Sequence, residues 1–390
     1  MKITGYRLTR VRVPLEPVYV SSQAARPATE RVIVRLYTDN GLIGLGETLG
    51  APEILALAAR IGDSLIGRDA LDRNGLRRRF AKSHFQNRNG RHGLMALAGI
   101  DTALWDIAAR HYEVPLVDLL GGAGRRRIPC AGLMGAVPLE QGAGPDDVQA
   151  FVADLGNVDK VVAHAQGLVE RHGFDTLKIK SAGLRRQWDI AVMEAFRETF
   201  GPAMRLRQDS NGAWTPAEAL ALCKPLERLN LEYYEDPTHD IEGLARLRRD
   251  VRTPIATNMY VIHHHHLPAA VAMDAIDVAL VDIYHWGGIA AFGEAVAATR
   301  PFGIEVGLHS NFELGVATAA NLHLAAAFPE VCRAIDTVLP SQRGEIIEGP
   351  GFRITDGGLD LPDGVGLGVE LDEAAIDSLT IENVEAGDIA

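Results

Sequence analysis

From about residue 128 to residue 343 the chain repeats one unit: a short apolar run, a polar residue, then a helical stretch. The polar residues are Lys180, Asp209, Glu235, Asn258, Asp282, His309 and Asp336, separated by 29, 26, 23, 24, 27 and 27 positions. One strand–helix unit per roughly 25–30 residues is the rhythm of a (β/α)8-type barrel, which needs about 200–250 residues in all. A further strand over Ile128–Leu133 completes eight. The competing fold is a doubly wound open sheet, which would carry a glycine-rich first strand–helix turn. Gly44-Leu-Gly46 lacks the third glycine and a helical pattern directly after it, so that fold is set aside.

The remainder of the 390 residues predicts an α+β capping domain. Ile3–Val13, Arg31–Tyr37 and Leu42–Glu47 read as strands, with a turn at Asp39-Asn-Gly41. Helical patterns run from Pro52 to Leu120. The clearest covers Leu94–His111, where Leu97, Ile100, Leu104, Ile107 and Ala108 recur at steps of three and four. Residues 1–127 are therefore assigned to the cap and 128–343 to the barrel. The tail, 344–390, returns to short strands and Gly/Pro turns and is expected to complete the cap. A net charge of −12 argues against a nucleic-acid partner, since no overall basic footprint exists. No apolar window of about 18 residues predicts a membrane span. Cys130, Cys223 and Cys332 are scattered, and residues 1–15 lack an apolar leader, so a cytoplasmic protein without disulfides is expected.

Active sites of such barrels lie at the C-terminal ends of the strands. Here seven successive strands end in polar groups, which predicts a lined polar cup. Lys178 and Lys180 share one face of their strand because side chains alternate. Two inward lysines call for an anionic ligand; an exposed edge strand with solvated lysines is the other reading. Asp209, Glu235 and Asn258 each also suit a helix N-cap. On three consecutive strands, however, they offer an all-oxygen set suited to Mg2+, whereas zinc would favour His or Cys. Asp282 and His309 end adjacent strands, so the carboxylate is expected to orient the imidazole and raise its pKa. Lys180 and His309 fall on opposite sides of the barrel mouth, which gives a possible base on each face of a bound substrate.

The order Lys-x-Lys, Asp, Glu, Asn, Asp, His on successive strands resembles the enolase superfamily. So do the helix Ala98-Gly-Ile-Asp101-Thr-Ala-Leu-Trp105-Asp106, continuing through Pro115-Leu116 to Leu120-Gly-Gly122, and the tail Gly364-Val-Gly-Leu-Gly-Val-Glu-Leu-Asp372. Asn258, the Asp282–His309 pair, His309-Ser-Asn311 and Ala334-Ile-Asp-Thr337 are similar to its glucarate dehydratase subgroup. The resemblance implies an enolase-like barrel and Mg2+ held by Asp209, Glu235 and Asn258. It implies catalytic roles for Lys178, Lys180, Asp282 and His309. The implied reaction is removal of the proton α to a carboxylate of a sugar acid, an aldarate such as glucarate, and then loss of the β-hydroxyl to give a 2-keto-3-deoxy acid. An epimerase or racemase with the same two bases is the alternative. A metal-dependent binding protein without activity is a more remote one. The resemblance also implies a homo-oligomer.

Further candidates surround this set. Asn311 and Asp336 are expected to hydrogen-bond substrate or His309, and Asn211 follows Asp209 closely enough to join them. The segment Val18–Thr29 is read as a loop closing over the substrate. Arg26, Arg31, Arg88 and Arg91 flank that loop or lie in the polar stretch His84–Gly93, where an arginine could pair bidentately with the far carboxylate of a diacid. Each is equally consistent with a solvated surface arginine. His285, Trp286 and Trp214 follow strand ends and are expected near the mouth. His263-His-His-His266 is read as a polar surface turn rather than a second metal site.

Overall fold

The computed structural model describes residues 1–82 and 85–389; the side chains of residues 81–88 lie outside the description. Three strands open the chain: β1 (Ile3–Val20), β2 (Ala25–Thr38) and β3 (Ile43–Leu49). They form an antiparallel sheet in the order β13-β1-β2-β3, whose outer strand β13 (Thr380–Gly387) comes from the tail. Helices α1 (Pro52–Leu65), α2 (Arg73–Lys82) and α3 (Phe85–His111) follow. The apolar stripe read from the sequence, with Ile100, Leu104 and Ile107, is the buried face of α3. It lies so close to β3 that a Cβ at Gly46 would come within 2.0 Å of the Gly99 carbonyl oxygen, and one at Gly44 within 2.3 Å of that of Ala103. Only glycine permits this approach.

The second layer is a near-closed parallel barrel. Its strands are β4 (Arg127–Met134), β5 (Thr176–Lys180), β6 (Arg205–Asp209), β7 (Tyr233–Glu235), β8 (Ile255–Thr257), β9 (Val278–Val281), β10 (Glu305–Leu308) and β11 (Ile335–Thr337). Hydrogen bonds run in the order β11-β4-β5-β6-β7-β8-β9-β10. A parallel bridge from Val306 to Val331 draws the last gap together. Helices cover the outer face, as all-parallel sheets require, and the charged strand residues Lys178, Lys180, Arg207, Asp209 and Glu235 are buried. From the tail, β12 (Gly358–Asp360) pairs antiparallel with β4. The segment read as a loop over Val18–Thr29 is mostly strand. β1 runs on to Val20, β2 begins at Ala25, and Ser21–Ala24 make a tight turn closed by Ser21 N–H to Ala24 O at 3.0 Å. Among the described residues no helix is long and apolar enough to cross a membrane.

Candidate active site

Register alone places the first polar residues side by side. Lys180 is the Cα partner of Asp209, and Asp209 is the partner of Glu235. Asn258, Asp282 and His309 each stand one residue beyond the end of β8, β9 and β10. They line or underlie a cavity of about 210 Å3 between barrel mouth and cap, where Lys180, Asn211, Asn258, His285, His309 and Asn311 meet Tyr19, Arg26 and Arg91 of the cap.

The buried carboxylates set the electrostatics. Lys180 Nζ contacts Asp209 Oδ2, and Lys178 Nζ contacts Glu235 Oε2, lies 2.7 Å from Asp336 Oδ2 and 3.4 Å from Asp209 Oδ2. Burial alone would raise the Asp209 pKa, yet the ammonium groups of Lys180 and Lys178 hold it below the usual carboxylate range. Glu235 is raised well above that range by burial and then by the charge of Asp209. Lys178 stays charged. Burial opposes its charge, but Asp336, Glu235 and Asp209 outweigh that and push its pKa well up.

Asp209, Glu235 and Asn258 could hold a divalent metal. Glu235 Oε1 and Asn258 Oδ1 are buried without a hydrogen-bond partner, and unpartnered buried oxygens are costly unless something binds them. Carboxylate oxygens of Asp209, Glu235 and Asp236 lie within 4.8 Å of one another. Asp236 is otherwise engaged: its carboxylate accepts from the Thr257 hydroxyl and, at 3.1 Å, from the Asn258 backbone N–H. It therefore fixes the strand end that presents Asn258. An all-oxygen set of this kind fits Mg2+.

Asn258 turns its amide nitrogen to His309, 2.9 Å from Nε2. The same nitrogen is 3.2 Å from Nδ1, but the Asp282 carboxylate on the Nδ1 side can only accept, which favours the neutral ring with its proton on Nδ1 and with Nε2 accepting from Asn258. Nδ1 faces Asp282 Oδ2 at 3.5 Å and Asn311 Nδ2 at 3.2 Å.

The expectation that Asp282 raises the His309 pKa is corrected. Burial drives it down to about 4, the charges of Lys178 and Lys180 act in the same direction, and the pull of Asp282 does not offset them. Asp282 is also shared. His285 Nδ1 lies 2.6 Å from its Oδ2, and Asn311 Nδ2 donates to that oxygen at 2.9 Å. Its pKa is lowered although burial would raise it, with His285 the leading cause and His309 the next. Asp336 is a second correction. It occupies the middle of the three-residue β11 rather than its end, one layer deeper, at the level of Lys178. Its carboxylate is taken by Lys178 and by Arg207 Nη1 at 2.9 Å, so it supports Lys178 from below and does not reach the cavity.

The other candidates separate. Asn211 lines the cavity, and its backbone N–H donates to Asp209 Oδ1 at 2.9 Å. Arg26 lines it too, with its guanidinium over the Phe312 ring at 5.6 Å. Arg91 spans the mouth to the Met259 carbonyl. Arg31 is buried and paired with Glu47 at 2.7 Å, so it is neither a surface nor a substrate arginine. His84 and the side chain of Arg88 lie outside the described residues. Trp286 lines a neighbouring cavity of about 350 Å3 together with His263 and His264, and Trp214 is buried away from the mouth. His263–His266 form a short, partly buried turn in which His264 Nε2 lies 3.2 Å from Glu294. Tyr19, which also lines the cavity, falls in the segment Val18–Thr29 that the sequence places over the substrate, whereas Met95 and Phe312 carried no sequence signal, since lone apolar residues read as core.

Comparison with known proteins agrees with this geometry. Residues 3–121 match the family model of the mandelate racemase / muconate lactonizing enzyme N-terminal domain, and residues 160–375 match the enolase C-terminal domain-like model. The chain is 32% identical to a Streptomyces coelicolor protein named "Probable glucarate dehydratase", over 95% of this chain and 89% of that one. It is 28% identical to D-galactarolactone cycloisomerase of Agrobacterium fabrum, over 96% and 98%. Among solved structures, an enolase from Thermobispora bispora complexed with magnesium and formate superposes with a TM-score of 0.88 at 34% identity, covering 97% of this chain and 92% of that one.

Proposed function

The chain belongs to the mandelate racemase / muconate lactonizing enzyme family of the enolase superfamily, and we propose that it is a Mg2+-dependent dehydratase of a sugar acid, an aldarate such as glucarate. One observation carries this reading: Glu235 Oε1 and Asn258 Oδ1 are buried without hydrogen-bond partners, Asn258 in a cavity that Lys180 and His309 also line and Glu235 Oε1 3.9 Å from His309 Nε2. Asp209, Glu235 and Asn258 would hold the metal, which when bound draws charge from the substrate carboxylate and offsets the negative charge that grows there as the α-proton leaves.

The chain's own groups supply the rest. Lys178 is a fixed positive charge beneath the reacting carboxylate, already oriented and needing no reorganisation. His309 is neutral near pH 7, because its pKa is pushed down to about 4. It can therefore take a proton at Nε2 but has none to give until it does. The same imidazole, once protonated, returns the proton to the β-hydroxyl, which departs as water. The enol then tautomerises to the 2-keto-3-deoxy acid. Lys180, once its ammonium has given up a proton, would serve as base toward the opposite face. Arg26 and Arg91, at the cap side of the cavity, would receive the far carboxylate of a diacid.

The direct test incubates the protein with mono- and diacid sugars and Mg2+ in D2O and follows proton NMR and keto-acid formation. We expect a keto acid from a diacid, lost with a chelator and restored by Mg2+. Bases on two sides also suit epimerisation. Deuterium at the α-carbon without any keto acid would establish that reaction instead.

A further inference from the structure

Several barrel helices have no side-chain cap of their own, among them Arg186–Phe200 after Lys180, but two of them receive one from the other domain. The helix Gly315–Ala327, which follows His309 and Asn311, has Leu314 at its N-cap and no local side-chain bond there. Glu47 of β3 supplies most of it: one carboxylate oxygen accepts from the Leu314 N–H and the other from the Ala317 N–H, each at 2.9 Å, while Glu345 of the tail accepts from the Gly315 N–H at 3.0 Å. The helix Ile289–Thr299, which follows Asp282 and His285, begins after Gly288 without a side-chain cap. Asp101 of α3 accepts from the Ile289 N–H at 2.8 Å and the Ala290 N–H at 3.4 Å. A carboxylate at a helix N-terminus satisfies orphan donors and complements the helix dipole.

The other half of the barrel is built differently. Thr215 caps Pro216–Leu226 and Asp240 caps Ile241–Arg248, each within its own loop. Ser181, directly after Lys180, donates to Asp189 at 2.5 Å, again within the barrel. The cap does touch that half, but through neutral bonds: the Ser22 hydroxyl to the Ser210 carbonyl at 2.8 Å, Ala136 N–H to the Val20 carbonyl and Val18 N–H to the Leu139 carbonyl, each at 2.8 Å, and the Gln141 amide to the Pro27 carbonyl at 3.1 Å.

Glu47 does not act alone. Arg31 of β2 bonds it at 2.7 Å through Nε and donates through Nη1 to the Asn311 carbonyl at 2.8 Å. Between these anchors Phe312 holds a left-handed backbone, φ 64°, which a bulky residue keeps only when its surroundings impose it. Tyr19 of β1 packs edge-on against the Phe312 ring, with centroids 4.7 Å apart.

We propose that Glu47 and Asp101 are positioning residues through which the seated cap assembles the His309–Asp282 half of the site, whereas the Lys180 half is assembled by the barrel itself. The inference deepens the dehydratase reading and rests on it for its catalytic consequence. The two bases then depend unequally on the cap: disturbing the cap carboxylates lowers chemistry at the face served by His309 and leaves the face served by Lys180.

Two variants and two readouts test this. Glu47→Gln leaves Arg31 without its counter-charge and can unfold the chain, so Asp101→Asn is made beside it. The first readout is amide hydrogen exchange by mass spectrometry, which needs no substrate. We expect about tenfold faster exchange over residues 309–317 in Glu47→Gln and over 283–291 in Asp101→Asn, with residues 176–182 changed by less than about twofold in both. Equal loosening of all three segments, or of none, overturns the proposal. The second readout is α-proton exchange on a pair of α-epimeric sugar acids, one presenting its proton to each base. We expect the ratio of His309-side to Lys180-side exchange to fall about tenfold in each variant, and a parallel loss on both epimers contradicts it. If the wild type exchanges neither epimer, the dehydratase reading fails, and the amide readout still decides the coupling.

Discussion

The amide of Asn258 is used on one side only: its nitrogen faces His309 Nε2 at 2.9 Å, and its oxygen is left buried and unbonded, free for a metal. Replacement by leucine, similar in volume, removes both polar atoms. For Asn258→Leu we expect the Mg2+ dissociation constant, measured by calorimetry, to rise by about 100-fold, the upper end of what the loss of a supporting group alone produces. An unchanged constant would remove Asn258 from the metal site. This residue was legible in the sequence because a polar side chain at a barrel strand end is expensive without a ligand, and three consecutive oxygens narrow the choice of ligand. Asp336 was harder to read. A shift of one residue along a strand changes layer and partner, and a three-residue strand gives no periodicity with which to see it. The pKa of His309 was misjudged for a related reason. Asp282 and both lysines were visible as site residues, but the full burial of His309 and the sharing of Asp282 with His285 show only in the fold.

At the scale of elements, the repeat length carried the barrel, because each strand–helix unit must cross the same layer and return. It also carried α3, whose apolar stripe persists over several turns. The cap hairpin was read less well. Val18–Thr29 mixes Pro, Ser, Gln and Arg and lacks alternation, yet β1 and β2 pair through most of it because partner strands supply the bonds that local propensity does not. Glu47 and Asp101 were invisible as caps for a stronger reason. A local N-cap lies within a few residues of the helix it serves, whereas Glu47 is 267 positions from Leu314. Sequence does leave one trace of it. The glycines at 44 and 46 mark where α3 is pressed onto β3, and Glu47 continues that strand toward the barrel.

Over the whole molecule, cap, barrel and tail meet at His323. Its Nδ1 accepts from the Val117 N–H at 3.1 Å and its Nε2 faces the Leu367 carbonyl at 3.2 Å, so the ring is held neutral and burial brings its pKa from 6.5 to about 4. Between those values the unfolded chain binds a proton that the native state refuses, so stability falls as pH falls through this window. At about 1.4 kcal/mol per pH unit the loss is about 3 kcal/mol. Denaturant titration should show the stability advantage of the wild type over His323→Gln shrinking by about that amount from pH 7 to pH 4; a constant gap would refute the assignment. Net charge misleads at this scale. The chain carries −12, yet its catalytic cavity is lined by Lys180, Arg26 and Arg91, and local cations decide what a cleft attracts. The central claim, a metal-dependent site with one base on each face, is tested most directly by α-proton exchange in D2O. The wild type, Lys180→Ala and His309→Asn would be compared on two α-epimers of a sugar acid. The account predicts that each variant loses exchange on one epimer and keeps it on the other, and that a chelator abolishes both. Exchange that survives in both variants, or persists without metal, would contradict it.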